Sequence, residues 1–523
     1  MRQAGARSAQ VPRRGNEEPI VTTAPERARQ NGLSGFQGAP AAEPQVPGRA
    51  PRGKRPSWFA RDPAWPIVVL LVGWPLWWCL GVGDYFPIVV AIPMVRRMWL
   101  WRVHKERTIR LPPGFKIWSL FLLVTLFSIA TISLTAPETV PSPTGSRIIS
   151  WTLRTGIYFA VTIILLYAGN LTEGELPRRR LAWLLGLIGI YTVTGGVLGV
   201  LDPHFQFTSP TAYLLPKSLQ ANNGLLAMML HPGFSQVQNI LGYAVGRPRA
   251  PFDFTNMWGN VLAITLPWLI VAWWAYGNRK ERRNLLIVVT IALVPVVYSL
   301  DRGLWVGLGI SVLYVAIRFA ARGRLGLLAS LCGVLALIAV VVVASPLQSL
   351  ISQRLQHGKS NAVRSSLSGL AMDVAVSSPV IGYGDTRHEL GSTNSIAVGK
   401  TAKCHSCGSR DIGGNGQLWM LLITSGILGA ALYCCFFLYG IWRYWRDPTP
   451  YGMVGVLVLI LGFPFMLVYI AVGPPLTFTM LAYVILWKND RVRHREAEEA
   501  AAESAAQLRA QIGARAVAAE AQT

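Results

Sequence analysis

Long apolar stretches recur along this chain from about residue 65 to residue 487, and they constrain the fold more than any other feature. An α-helix of about 20 apolar residues crosses the roughly 30 Å hydrocarbon core of a bilayer. Only 14% of the 523 residues are charged, which excludes an ordinary soluble enzyme. The sequence therefore predicts an all-α polytopic membrane protein with about 12 transmembrane helices, near 65–82, 84–95, 116–135, 148–170, 181–201, 254–276, 285–300, 304–320, 325–345, 414–441, 451–470 and 474–487.

The basic residues are sorted by loop, as the positive-inside rule requires of a membrane protein. With a cytosolic N-terminus, the inner loops hold 19 basic residues and the short outer loops hold Arg147 and Arg302. Both termini are therefore predicted to be cytosolic. The formal net charge of +24 follows from this topology, and nucleic acid is not an expected partner.

Three parts of the chain differ in composition. Residues 1–62 contain few large apolar side chains and are predicted to be a disordered, basic cytosolic tail. Residues 63–487 form the predicted membrane domain, with long external loops at about 202–253 and 346–413, the second before the tenth span. Residues 488–523 are predicted to form a helical cytosolic tail.

The second external loop contains a predicted helix over 361–378, with Asn361 as its N-cap and Pro379 as its stop. Its apolar residues recur at helical spacing, which favours a helix lying on the outer membrane surface, although a solvated loop is an equal alternative. Gly382 and Gly384 allow a tight turn after it. Beyond the turn, Asp385, Arg387, His388 and Glu389 cluster.

Charged residues near the outer ends of spans are candidates for function, because charge at membrane depth is costly. Asp301 and Arg302 lie between two spans joined by almost no loop, and a salt bridge of Asp301 with an arginine is the alternative. Arg154 lies about two turns inside its span and requires a partner, an aqueous cavity or snorkelling. The first external loop adds further candidates for acceptor or sugar contacts, namely His204, Lys217, His231, Arg247 and Arg249.

This set of outer arginines has no accompanying carboxylate cluster of the kind that holds Mg²⁺. Guanidinium groups bind phosphate through paired hydrogen bonds and can neutralise a departing diphosphate. The pattern indicates a lipid-diphosphate substrate and a reaction without metal or other cofactor. The candidate diphosphate ligands are Arg154, Arg302, Arg354, Arg364 and Arg387.

Three segments in order resemble the O-antigen ligase and O-antigen polymerase superfamily. They are SLDRGLWVGLGISVLY, RLQHGKSNAVRSSLSGLAMDVAVSSPVIGYG and GGNGQLWMLLITSGILGAALY, which together cover about 300–440. The motif positions are Asp301, Arg302, Gly303, Gly382, Gly384 and Asn415. One departure is that Gly414 stands where the family has a histidine before the asparagine.

The resemblance implies transfer of a glycan from a polyprenyl diphosphate, such as undecaprenyl diphosphate, to an acceptor outside a bacterial cytoplasmic membrane. It implies inversion at the sugar and no metal. By the same resemblance Arg302 holds the diphosphate and Arg364 is the outer-loop arginine. Because the histidine is absent, the base is one of His388, Glu389, Asp385 and His405. Expected partners are the lipid-linked donor, a glycan, lipid or protein acceptor, and other envelope-biosynthesis proteins.

Cys404 and Cys407 are predicted to form a disulfide in the outer loop, and a zinc site is the weaker alternative.

Two other functions remain open for the whole chain. One is a transporter or flippase of a lipid-linked or amphipathic substrate, which would place charged or helix-breaking residues near the membrane midplane. The other is a non-catalytic scaffold of an envelope-synthesis complex.

Overall fold

The computed structural model describes residues 62–216, 224–239, 243–343, 348–349, 352–353, 359–389 and 411–520. Within these ranges the chain is mostly helical, with two short antiparallel ribbons. The prediction of a helical membrane protein is confirmed at this level. Five candidate residues lie outside the described ranges, namely Lys217, Arg354, Cys404, His405 and Cys407. The predicted tail before residue 62 also lies outside them.

The helices of the first half are α1 (Trp65–Val72), α2 (Trp74–Cys79), α3 (Phe86–Val103), α4 (Phe115–Phe127), α5 (Thr144–Asn170), α6 (Arg178–Leu201), α7 (Pro210–Leu214) and α8 (Gly224–Leu230). Strands β1 (Ser235–Asn239) and β2 (Ala244–Pro248) then pair antiparallel in the loop between α8 and α9.

The second half contains α9 (Thr255–Ile270), α10 (Arg279–Tyr298), α11 (Arg302–Ala320), α12 (Leu325–Val343) and α13 (Lys359–Ser377). The two-residue strands β3 (Arg387–His388) and β4 (Asp411–Ile412) form the second ribbon. The chain continues with α14 (Gln417–Tyr444), α15 (Pro450–Met466) and α16 (Pro474–Glu520).

Each predicted apolar stretch coincides with helix in the structure. Among the described residues, five helices are long and apolar enough to cross a membrane, namely Thr144–Asn170, Arg178–Leu201, Thr255–Ala275, Arg302–Ala320 and Gln417–Tyr444. The total of about 12 spans stays a prediction. The first stretch is divided at Gly73 into α1 and α2, and α16 continues without a break from the last apolar stretch into the charged segment.

Helix α9 lies at the centre of the described helices, with 72% of its apolar stretch buried inside the protein. It packs against α6 at close range because α6 presents glycines to it. A Cβ atom added to Gly186 would lie 2.9 Å from the Cα atom of Leu269. Trp258 of α9 donates its indole N–H to the carbonyl of Thr192 on α6 at 2.8 Å. Small residues thus allow two membrane helices to approach closely.

We expect Gly186→Ala to destabilise the protein by about 1–3 kcal/mol, because the added methyl group forces the α6 and α9 backbones apart. The matched control is Gly309→Ala in α11, where an added Cβ meets no atom within 4 Å. Alanine is the better helix former, so the control should be neutral or slightly stabilising. Thermal unfolding of both purified variants measures this, and equal midpoints would contradict the packing argument.

Candidate functional site

A break in α14 organises the loop between α13 and α14. The backbone leaves helical geometry at Gly426, where φ is 69°, so the carbonyls of the preceding turn are free to accept other bonds. The carbonyl of Ile423 accepts from the backbone N–H of Tyr383 at 2.7 Å. Gly382 and Gly384 both have positive φ, as the predicted tight turn requires. The segment after α13 is therefore held in the break by backbone hydrogen bonds.

Helix α13 differs from its prediction in two respects. It begins at Lys359, so Asn361 lies inside the helix and is not the N-cap. Its buried residues Leu367, Ala371 and Val374 pack in one cluster with apolar residues of α14 and β4. The predicted contact of this face with the membrane surface is therefore wrong. Protein apolar side chains cover the face because the break in α14 brings the loop over it.

Arg154 on α5 has its partner in the loop after α13. Its Nη2 atom lies 3.1 Å from Oδ1 of Asp385 and donates to the carbonyl of Gly384 at 2.6 Å. The two charged side chains are only 11% and 10% exposed. The ion pair connects the helical bundle to the turn after α13. It also engages Asp385, which makes this carboxylate a poor candidate for a catalytic base.

Arg387 is 1% exposed, and among the described residues its two terminal guanidinium nitrogens donate to backbone carbonyls while Nε has no hydrogen-bond partner. It shares two of these acceptors with Arg147, namely the carbonyls of Ile132 and Leu134. Burial lowers the pKa of Arg387 to about 10. The enclosure argues against the predicted role of Arg387 as a diphosphate ligand, because its hydrogen-bonding groups are directed at the loop that surrounds it.

Asp301 is the N-cap of α11 and is 4% exposed. Its Oδ1 atom accepts from the backbone N–H of Gly303 at 3.1 Å and from the hydroxyl of Tyr469 at 2.5 Å. A Cβ at Gly303 would collide with the Tyr469 hydroxyl, which explains the glycine there. Burial raises the pKa of Asp301, and the charge of Arg247 opposes this rise. Arg302 follows at the first position of α11 and is half-buried.

Two further arginines lie close to Asp301 and Tyr469. Arg247 on β2 donates through Nε to the carbonyl of Ser299 at 2.5 Å and is 6% exposed. Arg364 on α13 is close enough for its charge to lower the pKa of Arg247 further, after the larger effect of burial. Positive charge from β2, α11 and α13 is thus concentrated at one place. Because the segment that contains β2 carries no sequence motif, the sequence analysis did not place Arg247 beside Asp301.

Asn415 joins this arginine group to the start of α14. Its Nδ2 atom donates to the carbonyl of Arg364 at 3.3 Å and to Oγ of Ser368 at 2.9 Å. Two residues later, the backbone N–H of Gln417 donates to the carbonyl of Tyr469 at 2.8 Å. The three segments that carry the sequence motifs are therefore connected by hydrogen bonds around Arg364, Asn415 and Tyr469. We call Arg247, Asp301, Arg302, Arg364, Asn415 and Tyr469 the motif cluster.

Asp411 is a half-buried aspartate with a buried Oδ1 atom, and the sequence analysis missed it. It is paired with His388 across the β3–β4 ribbon, and its Oδ1 atom accepts no hydrogen bond from the described residues. Burial raises its pKa to about 6, although the nearby His388 opposes the shift. A Cβ at Gly414 would lie 3.1 Å from Oδ2 of Asp411. The carboxylate thus stands beside the position at which the resembled family carries its histidine.

The remaining predicted bases have different surroundings. His388 is exposed on β3, and Glu389, which is 8% exposed, forms a bridge with Thr139 at the end of the ribbon. A further aspartate, the buried Asp253, lies before α9, and burial raises its pKa to about 7 while Arg249 opposes the rise. No sequence signal marked Asp253 or Asp411, since each is a single acid outside any motif.

Among known proteins, no family model, no curated protein and no solved structure matches this chain.

We expect Asp385→Asn to destabilise the protein by about 3 kcal/mol or more, because Arg154 would remain buried without its counter-charge. The double variant Arg154→Gln/Asp385→Asn should recover part of this loss, since neither charge remains. Thermal or denaturant unfolding of the single and double variants gives the coupling between the two residues. Strictly additive losses would show that the ion pair contributes nothing specific.

Proposed function

We propose that this protein transfers or polymerises a surface glycan from a polyprenyl-diphosphate-linked donor at the outer face of the bacterial cytoplasmic membrane. The observation that carries the proposal is the motif cluster. Segments far apart in the chain, which separately resemble the O-antigen ligase and polymerase superfamily, meet through Asn415, Arg364, Tyr469 and Asp301.

The arginines of the motif cluster supply what a diphosphate leaving group needs. Arg302 and Arg364 are half-buried, and Arg247 is held rigidly beside them by the Ser299 carbonyl. Preorganised guanidinium groups stabilise charge that develops as the bond to the diphosphate breaks. A narrow apolar cleft between α9, α14, α15 and α16 reaches Ala471, whose backbone N–H bonds to Gln417. With a volume of about 30 Å³ the cleft has room for only a small apolar group, so the polyprenyl chain would lie outside it in the bilayer.

Asp411 is the base that the geometry favours. A carboxylate with a pKa of about 6 is ionised at neutral pH and still accepts a proton. In the proposed step, the acceptor hydroxyl oxygen attacks the anomeric carbon and its proton passes to Asp411. The bond between the anomeric carbon and the phosphate oxygen breaks, and its electron pair leaves with the diphosphate. Attack opposite the leaving group inverts the sugar.

The proposal includes an orientation with both termini cytosolic. The motif cluster and the β3–β4 ribbon lie at the ends of the spans that the charge pattern assigns to the outside. The opposite ends carry the inner-loop arginines and the charged part of α16. Acceptor outside the membrane would then meet the motif cluster directly.

We expect the purified protein in liposomes containing EDTA to release polyprenyl diphosphate from a glycan-linked donor and to extend or transfer the glycan. Arg302→Ala should reduce the rate about 10²–10³-fold, whereas the matched control Arg283→Ala, a basic residue of an inner loop, should not. In right-side-out membrane vesicles, acceptor added outside should be used. Lipid crossing the bilayer without bond cleavage would favour the transporter, and no turnover with any donor would leave the scaffold as the better explanation.

We expect Asp411→Asn to reduce turnover about 10²–10⁴-fold, the usual contribution of a general base. In the wild type, the rate should fall as the pH decreases below about 6, because Asp411 becomes protonated.

A carboxyl whose folded-state pKa is raised favours the folded state most at low pH and loses this contribution as the pH rises through about 6. Asp411→Asn should therefore gain stability relative to the wild type at pH 7.5.

The matched control for this variant is Asp373→Asn, an exposed aspartate of α13. It should keep both the rate and the pH profile of the wild type. An unchanged rate in Asp411→Asn would remove Asp411 from the reaction, whatever its effect on stability.

A further inference from the structure

A second charged site lies at the opposite end of the helical bundle from the motif cluster. A cavity of about 430 Å³ opens there between the loop before α4, the loop before α6 and the charged part of α16. Five basic and two acidic residues line it. The proposed transfer reaction does not use this cavity, so its chemistry requires a separate explanation.

Two of the five basic residues are already neutralised or enclosed. Arg107 forms paired hydrogen bonds with the carboxylate of Glu175 at 2.9 and 2.8 Å. Lys488 is 1% exposed, donates to the carbonyls of Leu171 and Leu176, and lies 3.4 Å from Glu173. These contacts build a rigid wall of the cavity.

The other three basic residues, Arg110, Arg491 and Arg495, form no ion pair with a carboxylate in the part of the chain that the structure describes. Burial, and after it the charges of Arg110 and Arg495, lower the pKa of Arg491, while the carboxylate of Glu173 opposes this shift to a smaller extent. Like charges gathered around a cavity destabilise the empty site, and an anion removes the repulsion.

The cavity fixes one guanidinium group and the backbone of a second, while the side chains of Arg110 and Arg495 are exposed. The backbone of Arg110 is fixed by both its N–H and its carbonyl, which bond to the side chain of Asn170 at 2.8 and 2.9 Å. Arg491 lies 5.1 Å over the ring of Trp487, and Arg495 follows one turn later on the same helix. A phosphate group matches such a set, because guanidinium groups bind its oxygens in pairs.

We infer that this cavity is a binding site for a phosphate group, held by Arg110, Arg491 and Arg495. The group comes either from the head of an anionic phospholipid in the adjacent leaflet or from a soluble phosphate compound. The charged part of α16 would then be fixed against the membrane domain by the ligand.

The experiment uses the full chain in nanodiscs and measures ligand binding by native mass spectrometry. In one arm the nanodiscs contain phosphatidylglycerol in phosphatidylcholine. In the other arm they contain phosphatidylcholine alone, and inorganic phosphate is titrated. We expect one saturable site, filled by phosphatidylglycerol if the source is lipid and by inorganic phosphate if it is soluble.

The variant Arg110→Gln/Arg491→Gln should weaken this binding roughly 10–30-fold, as expected for two basic residues at a membrane surface. Arg110→Lys/Arg491→Lys, which keeps the charge and loses the paired geometry, should give an intermediate affinity. The control Arg283→Gln/Arg324→Gln removes the same charge from inner loops elsewhere and should bind as the wild type does. Thermal unfolding without ligand verifies that each variant folds.

Two results would overturn the inference. One is the absence of saturable binding of both probes to the wild type. The other is an equal loss in the cavity variant and the control variant, which would show that only the overall charge of this face matters.

Discussion

Buried guanidinium groups hold together the end of the helical bundle that carries the motif cluster, because charge and backbone carbonyls inside an apolar bundle must satisfy each other. Arg154 pairs with Asp385, and Arg147 and Arg387 share the carbonyls of Ile132 and Leu134. These contacts connect α5, the end of α4 and the loop after α13. Without them, segments that form neither helix nor sheet would leave polar groups unpaired. The loop geometry on which the motif cluster depends follows from this constraint.

At the break in α14, buried polar groups are also paired, here by hydrogen bonds between backbone groups alone. Gly426 interrupts the helix, and the released carbonyls accept hydrogen bonds from the turn at Gly382 and Gly384. This arrangement places α13 against α14 and brings Arg364 next to Asn415. Gly382 and Gly384, which belong to the sequence motifs, thus have a direct physical role. They let the backbone of the loop approach the break in α14 to hydrogen-bonding distance. The arginines proposed to bind substrate are carried by this rigid support.

Local features of the sequence predicted the helices, whereas contacts between distant residues decided the surroundings of several candidate residues. The helices were predictable because hydropathy and charge are local properties, and α6 and α9 fall where the apolar stretches placed them. The prediction for Asn361 was wrong because the helix already begins at Lys359. The prediction that the apolar side of α13 faces the membrane was wrong because residues of α14 cover that side. Arg387 was predicted to bind diphosphate because it lies in a polar cluster. Its burial among carbonyls depends on Ile132 and Leu134, more than 250 residues away in the chain. Asp411 carried no local signal at all.

The sequence by itself determined the class of protein, the position of its helices and the face on which basic residues collect, because the energy of apolar burial in a bilayer depends on composition within each segment. Only the tertiary structure decided which arginines are enclosed and which surround a cavity. It also decided that Asp411 lies opposite His388 and beside Gly414. Those outcomes depend on contacts between distant segments, such as the pair of Arg154 and Asp385, and the cost of an unpaired buried charge selects among them.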